Sequence, residues 1–362
     1  MFFRQPENET YFDAVKIFIC KANKGLRSNQ VEVSTSRKVK LKPYNTMKKL
    51  LIFALMLIFA AVVAWLCTGT GLGSWQNPHT LDATLLSLRL PRIFNALLVG
   101  LSLSVAGAAL QALFENPLAD PGLIGTSGGA ALGVVLVLSL GFIGIGIPLA
   151  AFSGSLIVCI FVLFAHRLFG GGKAGLLIIG FIISAFCSAV VSLILFLSDD
   201  FVLRSAMTWL AGSLAEAGFV SPIYAATSMF LGLCLLIPMG RHLDILLLGE
   251  DTAISMGIKV YKIRALAVTG AALLTGAAVS LSGMIGFVGM MIPNLMAVIF
   301  RGSRTKIMLL SAYVGALFLL ITDTAARTVA YPVDLPVGIV ISLIGAPFFV
   351  WLFAMSIKRS GV

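Results

Sequence analysis

The sequence predicts an all-α integral membrane protein with ten transmembrane helices and both termini on the cytoplasmic side. Three observations predict it. Apolar residues make up 59% of the chain and charged residues 11%, with a mean hydropathy of +1.03. A soluble domain carries about 25% charged residues, so this chain lacks the polar groups to cover itself in water. Apolar runs of about 20 residues, long enough to cross a bilayer core as helices, recur from residue 50 to the C-terminal end. Lys and Arg are spread unevenly between the joining segments, and basic residues near helix ends are retained on the cytoplasmic side.

The runs cover residues 50–67, 92–113, 122–140, 146–165, 174–197, 221–239, 264–282, 284–300, 306–326 and 337–357. The first is no signal peptide: its apolar region is long, and Trp65-Leu66-Cys67-Thr68-Gly69 offers no small-residue cleavage site. The seventh and eighth are separated only by Ser280–Met284. The uncharged stretch there is too long for one crossing, so a very tight turn is expected. With the N-terminus inside, only Arg89, Arg92, Arg204 and Arg327 of the 26 Lys and Arg residues fall on the outer side. The net charge of +11 therefore records topology and gives no sign of a nucleic-acid partner.

Residues 1–46 form a polar, basic extension with no sustained period. Met47-Lys48-Lys49 ahead of an apolar run reads as the start of a membrane protein. Either translation begins at Met47 or 1–46 is a disordered cytoplasmic tail; 47–362 is the membrane domain. Cys20, Cys67, Cys159, Cys187 and Cys234 show no CxxC spacing and read as small packing residues. Gly125, Gly129 and Gly133, at four-residue spacing, suit close helix approach.

What is missing narrows function. Gly170-Gly171-Gly172-Lys173-Ala174 lacks the leading Gly and the hydroxyl of a phosphate loop. There is no HExxH, and His79, His166 and His242 are scattered, so neither a catalytic centre nor a metal site is expected. All 15 Asp and Glu residues lie in the tail, loops or helix ends, whereas carriers driven by ions usually bury such groups near mid-membrane. A conduit energised by a partner fits best; a secondary carrier or a channel remains an alternative.

Arg89-Leu90-Pro91-Arg92 and the run Ala106–Gly122, which ends Phe114-Glu115-Asn116-Pro117-Leu118-Ala119-Asp120-Pro121-Gly122, resemble the FecCD/cobalamin-type permeases of ABC importers. The similarity continues through Leu248-Gly249-Glu250 with Ala253 and Gly257, then Gly286-Phe287-Val288-Gly289 with Pro293. It closes with Asp323 and Arg327, Leu335-Pro336-Val337-Gly338, and Gly345-Ala346-Pro347. It spans about residues 50–357. The resemblance implies the type II importer permease architecture and import of an iron–siderophore, haem or cobalamin; oxyanions such as molybdate are a further alternative. It implies a homodimer in membrane lipid, two cytoplasmic ATPase subunits that carry the ATP and magnesium, and a periplasmic binding protein. No cofactor is expected on this chain.

The resemblance also implies roles for particular residues. The segment 240–263, with Leu248, Gly249, Glu250, Ala253 and Gly257, would couple to the ATPase, Gly249, Glu250 and Gly257 standing at the turn between two short helices; an amphipathic helix lying on the membrane surface is the alternative. Arg89, Arg92 and Arg327 would grip acidic residues of the binding protein, although Asp323 stands four residues before Arg327 and could pair with it. Ser184, Ser188, Ser192, Met207, Trp209 and Ser213 would line the path and its gates, unless each serine bonds its own helix one turn back. Glu115, Asn116, Pro117, Asp120, Pro121 and Gly122 would form a rigid cytoplasmic turn, with Asp120 capping the third helix and Pro121 at its first position. Asn294 and Ala297 stand where the family usually has His and Arg, and Asp334 where it has Glu.

Overall fold

The computed structural model describes residues 46–71, 74–141, 146–215, 223–300 and 302–360. The chain divides into two compact units, Met1–Phe53 and Ala54–Val362, and the architecture below is that of the second. Residues 1–45 of the extension, with Cys20, lie outside the described residues.

The described residues form α1 (Thr46–Gly69), α2 (Ala83–Phe114), α3 (Thr126–Leu140), α4 (Ile147–Phe169), α5 (Gly172–Leu197), α6 (Asp200–Leu210), α7 (Ile223–Leu246), α8 (Glu250–Ser255), α9 (Val260–Ser282), α10 (Val288–Ile299), α11 (Arg304–Val329) and α12 (Val337–Ser360). Each apolar run falls on one of these helices, and α6 and α8 are short additions between runs. Helices α2, α4, α5, α7, α9 and α11 are long and apolar enough to cross a membrane, while the apolar parts of α1, α3, α10 and α12 are shorter. A two-residue antiparallel ladder pairs Thr70 with Trp75 and Gly71 with Ser74.

Helices α2 and α9 form the centre: 78% of the apolar window of each is buried, against 17% for α5. The run Val99–Phe114 explains α2, because Ala, Gly and Ser side chains let α7, α9, α10 and α11 all approach it. At Gly107 a Cβ would lie 1.7 Å from the Gly289 carbonyl of α10. The expected glycine stripe of α3 likewise meets α4, with Gly129 against the Gly154 carbonyl. Cys67, Cys159 and Cys187 are buried packing residues, whereas Cys234 is exposed.

Four boundaries differ clearly from expectation. Helix α2 begins at Ala83, not near 92, and runs through Pro91. Residues Pro121–Ile124 form a 3-10 turn and Gly125 is left-handed at φ +89, so α3 begins only at Thr126. Helix α7 continues through Pro238 to Leu246 instead of ending near 239. Helix α10 begins at Val288, not 284, because Gly283 and Phe287 both take positive φ and the Val288 amide turns back to the Gly286 carbonyl at 2.8 Å.

Candidate functional site

The turn after α2 closes on a left-handed residue that is not glycine. Glu115 has φ +50. Its amide donates to Ala112 at 3.3 Å and the Asn116 amide to Gln111 at 3.1 Å, the bond pair of a Schellman end. The left-handed conformation costs an ordinary residue about 1 kcal/mol; opposite it, Lys173 Nζ donates to Glu115 Oε2 at 2.7 Å. Asn116 Oδ1 accepts from the Leu118 amide at 2.9 Å, and Asp120 Oδ1 from the Gly122 amide at 2.7 Å. Asp120 and Pro121 thus open the 3-10 turn and not α3 itself. Burial raises the Asp120 carboxyl above the usual carboxylate range, opposed by the Gly122 amide.

Three helices hold this turn. Thr126 Oγ1 of α3 donates to the Pro121 carbonyl at 3.0 Å, and Ser184 Oγ of α5 reaches the Gly122 carbonyl at 3.5 Å. On the third side, a Cβ at Gly289 of α10 would lie 2.8 Å from Pro121 Cδ. Gln111 Nε2 of α2 adds a bond to the Met290 carbonyl at 2.9 Å. Pro117 is exposed at the tip.

The segment 240–263 contains one separate short helix, not two, since its first part belongs to α7. Helix α8 lies between Gly249 at φ +106 and Gly257 at φ +81. The Gly257 amide donates to Ile254 at 2.9 Å and the Ile258 amide to Ala253 at 3.0 Å, a second Schellman end. Ala253 is fully buried while Leu248, Ile254 and Met256 are about 60% exposed, so α8 keeps one small foot in the core and offers an apolar face outward. Glu250 pairs with Arg264 of α9. Nearby, Asp244 Oδ1 accepts the Arg304 amide at 2.9 Å, placing a carboxylate at the positive end of α11.

The three arginines are engaged within the chain. Arg92 donates from Nε and Nη2 to Asp323 at 2.9 Å each, and from Nη1 to Asp334 at 2.8 Å. Asp323 therefore pairs with Arg92 of α2 and not with Arg327 one turn along its own helix. Arg327 Nη2 donates to the Cys67 carbonyl, and buried Arg89 donates from Nη1 to the Thr68 carbonyl at 2.8 Å. Two guanidiniums so satisfy the carbonyl end of α1, where positive charge is favoured.

The residues expected to line the path divide into two groups. Ser184 is half-buried and bonded to the signature turn, whereas Ser188 and Ser192 are exposed along α5. Met207 is exposed, but Trp209 packs against side chains of α3 and α5. The Ser213 amide donates to the Ser282 carbonyl at 2.8 Å, and the Gly338 amide to Gly212 at 3.1 Å. These non-helical stretches meet at an open groove of about 360 Å³ lined by Leu210, Ala211, Met284, Gly338, Ile339, Ser342 and Leu343. Unwound backbone at such a place is tolerated where protein or a cavity surrounds it.

A sequence model of the FecCD transport family matches residues 45–355. The chain belongs to this family. It is 39% identical over 277 residues to the hemin transport system permease protein HmuU of Yersinia pestis, covering 74% of this chain and 82% of that one. It is 36% identical over 287 residues to the vitamin B12 import system permease protein BtuC of Vibrio cholerae, covering 77% and 86%. Among solved structures, an inward-facing metal-chelate type ABC transporter superposes with a TM-score of 0.75 at 30% identity, over 85% of this chain and 99% of that one. The protein is thus a multi-pass membrane permease of the ABC importer class.

Sequence reasoning missed several residues of this FecCD permease. Lys173, set aside with the glycine run, holds the signature turn. Asp334, noted only as a departure, shares Arg92. Arg264 carried no signal beyond being a basic residue at the edge of an apolar run. Asn294 was noted only as a departure from the family pattern; it is buried with its Nδ2 lacking a hydrogen-bond partner.

Proposed function

We propose that this permease moves an iron complex, haem or an iron–siderophore, from periplasm to cytoplasm. The identity to a hemin permease across three quarters of the chain carries this reading. Cobalamin is the second reading, favoured by the similar likeness to a vitamin B12 permease. The chain works as a homodimer in the lipid bilayer, with ten crossings per subunit and both termini cytoplasmic. It carries no cofactor and catalyses nothing itself; ATP and magnesium sit on two ATPase subunits, and a periplasmic binding protein delivers the substrate. The segment Leu248–Gly257 around α8 meets the ATPase, with Leu248, Glu250 and Gly257 at the contact, and the Arg92 region meets the binding protein. The path runs beside Ser188, Ser192, Met207 and the groove at Gly338, and the Glu115–Gly122 turn stiffens its cytoplasmic mouth. Fluorescence titration of the cognate binding protein with haemin, a ferric siderophore and cobalamin tests the substrate. Tightest binding of an iron complex supports the reading, and binding of cobalamin alone overturns it.

A further inference from the structure

Helix α8 is a six-residue helix with a positive-φ glycine at each end. A Cβ at Gly257 would meet nothing within 4 Å, and one at Gly249 only the Thr252 hydroxyl at 3.9 Å. The glycines are therefore required by backbone angle and not by crowding, and no side chain packs closely against either of them. Ala253 gives α8 a foot in the core, but an alanine methyl does not fix rotation about the helix axis. Among the described residues, one side-chain ion pair ties α8 to the rest of the molecule, Glu250 with Arg264.

Arg264 is placed to make that tie count. It lies in the opening turns of α9, one of the two most buried helices. Its side chain is 12% exposed while Glu250 is 36% exposed, so the arginine is the anchored partner and the glutamate the presented one. The contact joins Arg264 Nη2 to one carboxylate oxygen, Glu250 Oε1, and a charge-assisted hydrogen bond of this kind holds the carboxylate in place. We propose that Arg264 is a positioning residue for coupling: it sets the rotation of α8 and carries movement of α8 into the central helix α9. The proposal rests on the reading of α8 as the ATPase contact.

The test uses the whole complex, permease with its ATPase and binding protein in proteoliposomes, and reads substrate imported per ATP hydrolysed. That ratio is independent of how much complex is recovered, so a loss of folding alone does not move it. Arg264→Gln should lower it by about fivefold, the factor that goes with loss of one moderate interaction, and Arg264→Lys should recover part of it. Arg264→Gln with Glu250→Gln should fall no further than either alone, since the two act as one unit. Should Arg264→Gln fail to assemble, the charge swap Glu250→Arg with Arg264→Glu, and amide hydrogen exchange in α8 of Arg264→Lys, read the same tie. An unchanged ratio in Arg264→Gln with a lowered ratio in Glu250→Gln overturns the proposal and leaves the ATPase contact standing. Unchanged ratios in both overturn the contact as well.

Discussion

Arg92 and Asp323, 231 residues apart in sequence, form a two-pronged ion pair between α2 and α11, with Nε and Nη2 each 2.9 Å from a carboxylate oxygen. Asp323 is 3% exposed and Arg92 12%, while Asp334, on the third donor, is 44% exposed. One guanidinium thus joins an inner partner that is structural to an outer partner that is accessible.

That asymmetry predicts unequal costs. Removing Asp323 leaves the largely buried Arg92 with only its exposed partner Asp334, so Asp323→Ala should cost about 3 kcal/mol. Asp334→Ala should cost less than about 1 kcal/mol, as for an exposed pair. Thermal unfolding of the detergent-solubilised permease compares them.

Docking should respond in the opposite sense. An acidic group of the binding protein that seeks Arg92 Nη1 competes with Asp334 for it. Asp334→Ala should therefore tighten docking by a few-fold at low ionic strength, and the gain should shrink as salt screens the contact. Arg92→Glu should weaken docking. Surface plasmon resonance at two salt concentrations reads both.

The close approach of α2 and α10 predicts a steric ranking. Gly107→Ala places a methyl 1.7 Å from the Gly289 carbonyl, whereas Gly286→Ala meets nothing within 4 Å. Overpacking of this kind costs about 1–3 kcal/mol or more, so Gly107→Ala should lower the unfolding temperature clearly and Gly286→Ala should leave it nearly unchanged.

Asp120 supplies a pH prediction. It is half-buried as a residue, yet burial raises its carboxyl. A raised folded-state pKa gives a stabilising contribution that is full below the unfolded value and is lost as pH rises through the folded one. At neutral pH Asp120→Asn, which keeps an acceptor for the Gly122 amide, should be at least as stable as the parent. Asp120→Ala should lose about 1 kcal/mol with the cap. Unfolding curves from pH 4 to 8 check both.

The helices were largely legible because apolar runs and prolines are local signals; the start of α10 was not. Gly283–Phe287 is apolar enough to read as helix, and only the tertiary setting turns Phe287 to φ +66, with its ring over Gly345 of α12. The motifs were legible as stretches of sequence, but their pairing was not. Asp323 stands at helical spacing from Arg327, a local match that the distant Arg92 outcompetes with better geometry. Lys173 with Glu115 and Arg264 with Glu250 are likewise contacts between segments that no spacing announces.

Import of an iron complex by this FecCD permease under power from a separate ATPase is open to direct measurement. Uptake of haemin and of a ferric siderophore into proteoliposomes holding the permease, its ATPase and its binding protein tests it most directly. Uptake should need ATP inside and binding protein outside, and should stop with vanadate. Equal uptake without the ATPase, driven by an ion gradient or by the substrate gradient alone, would contradict it.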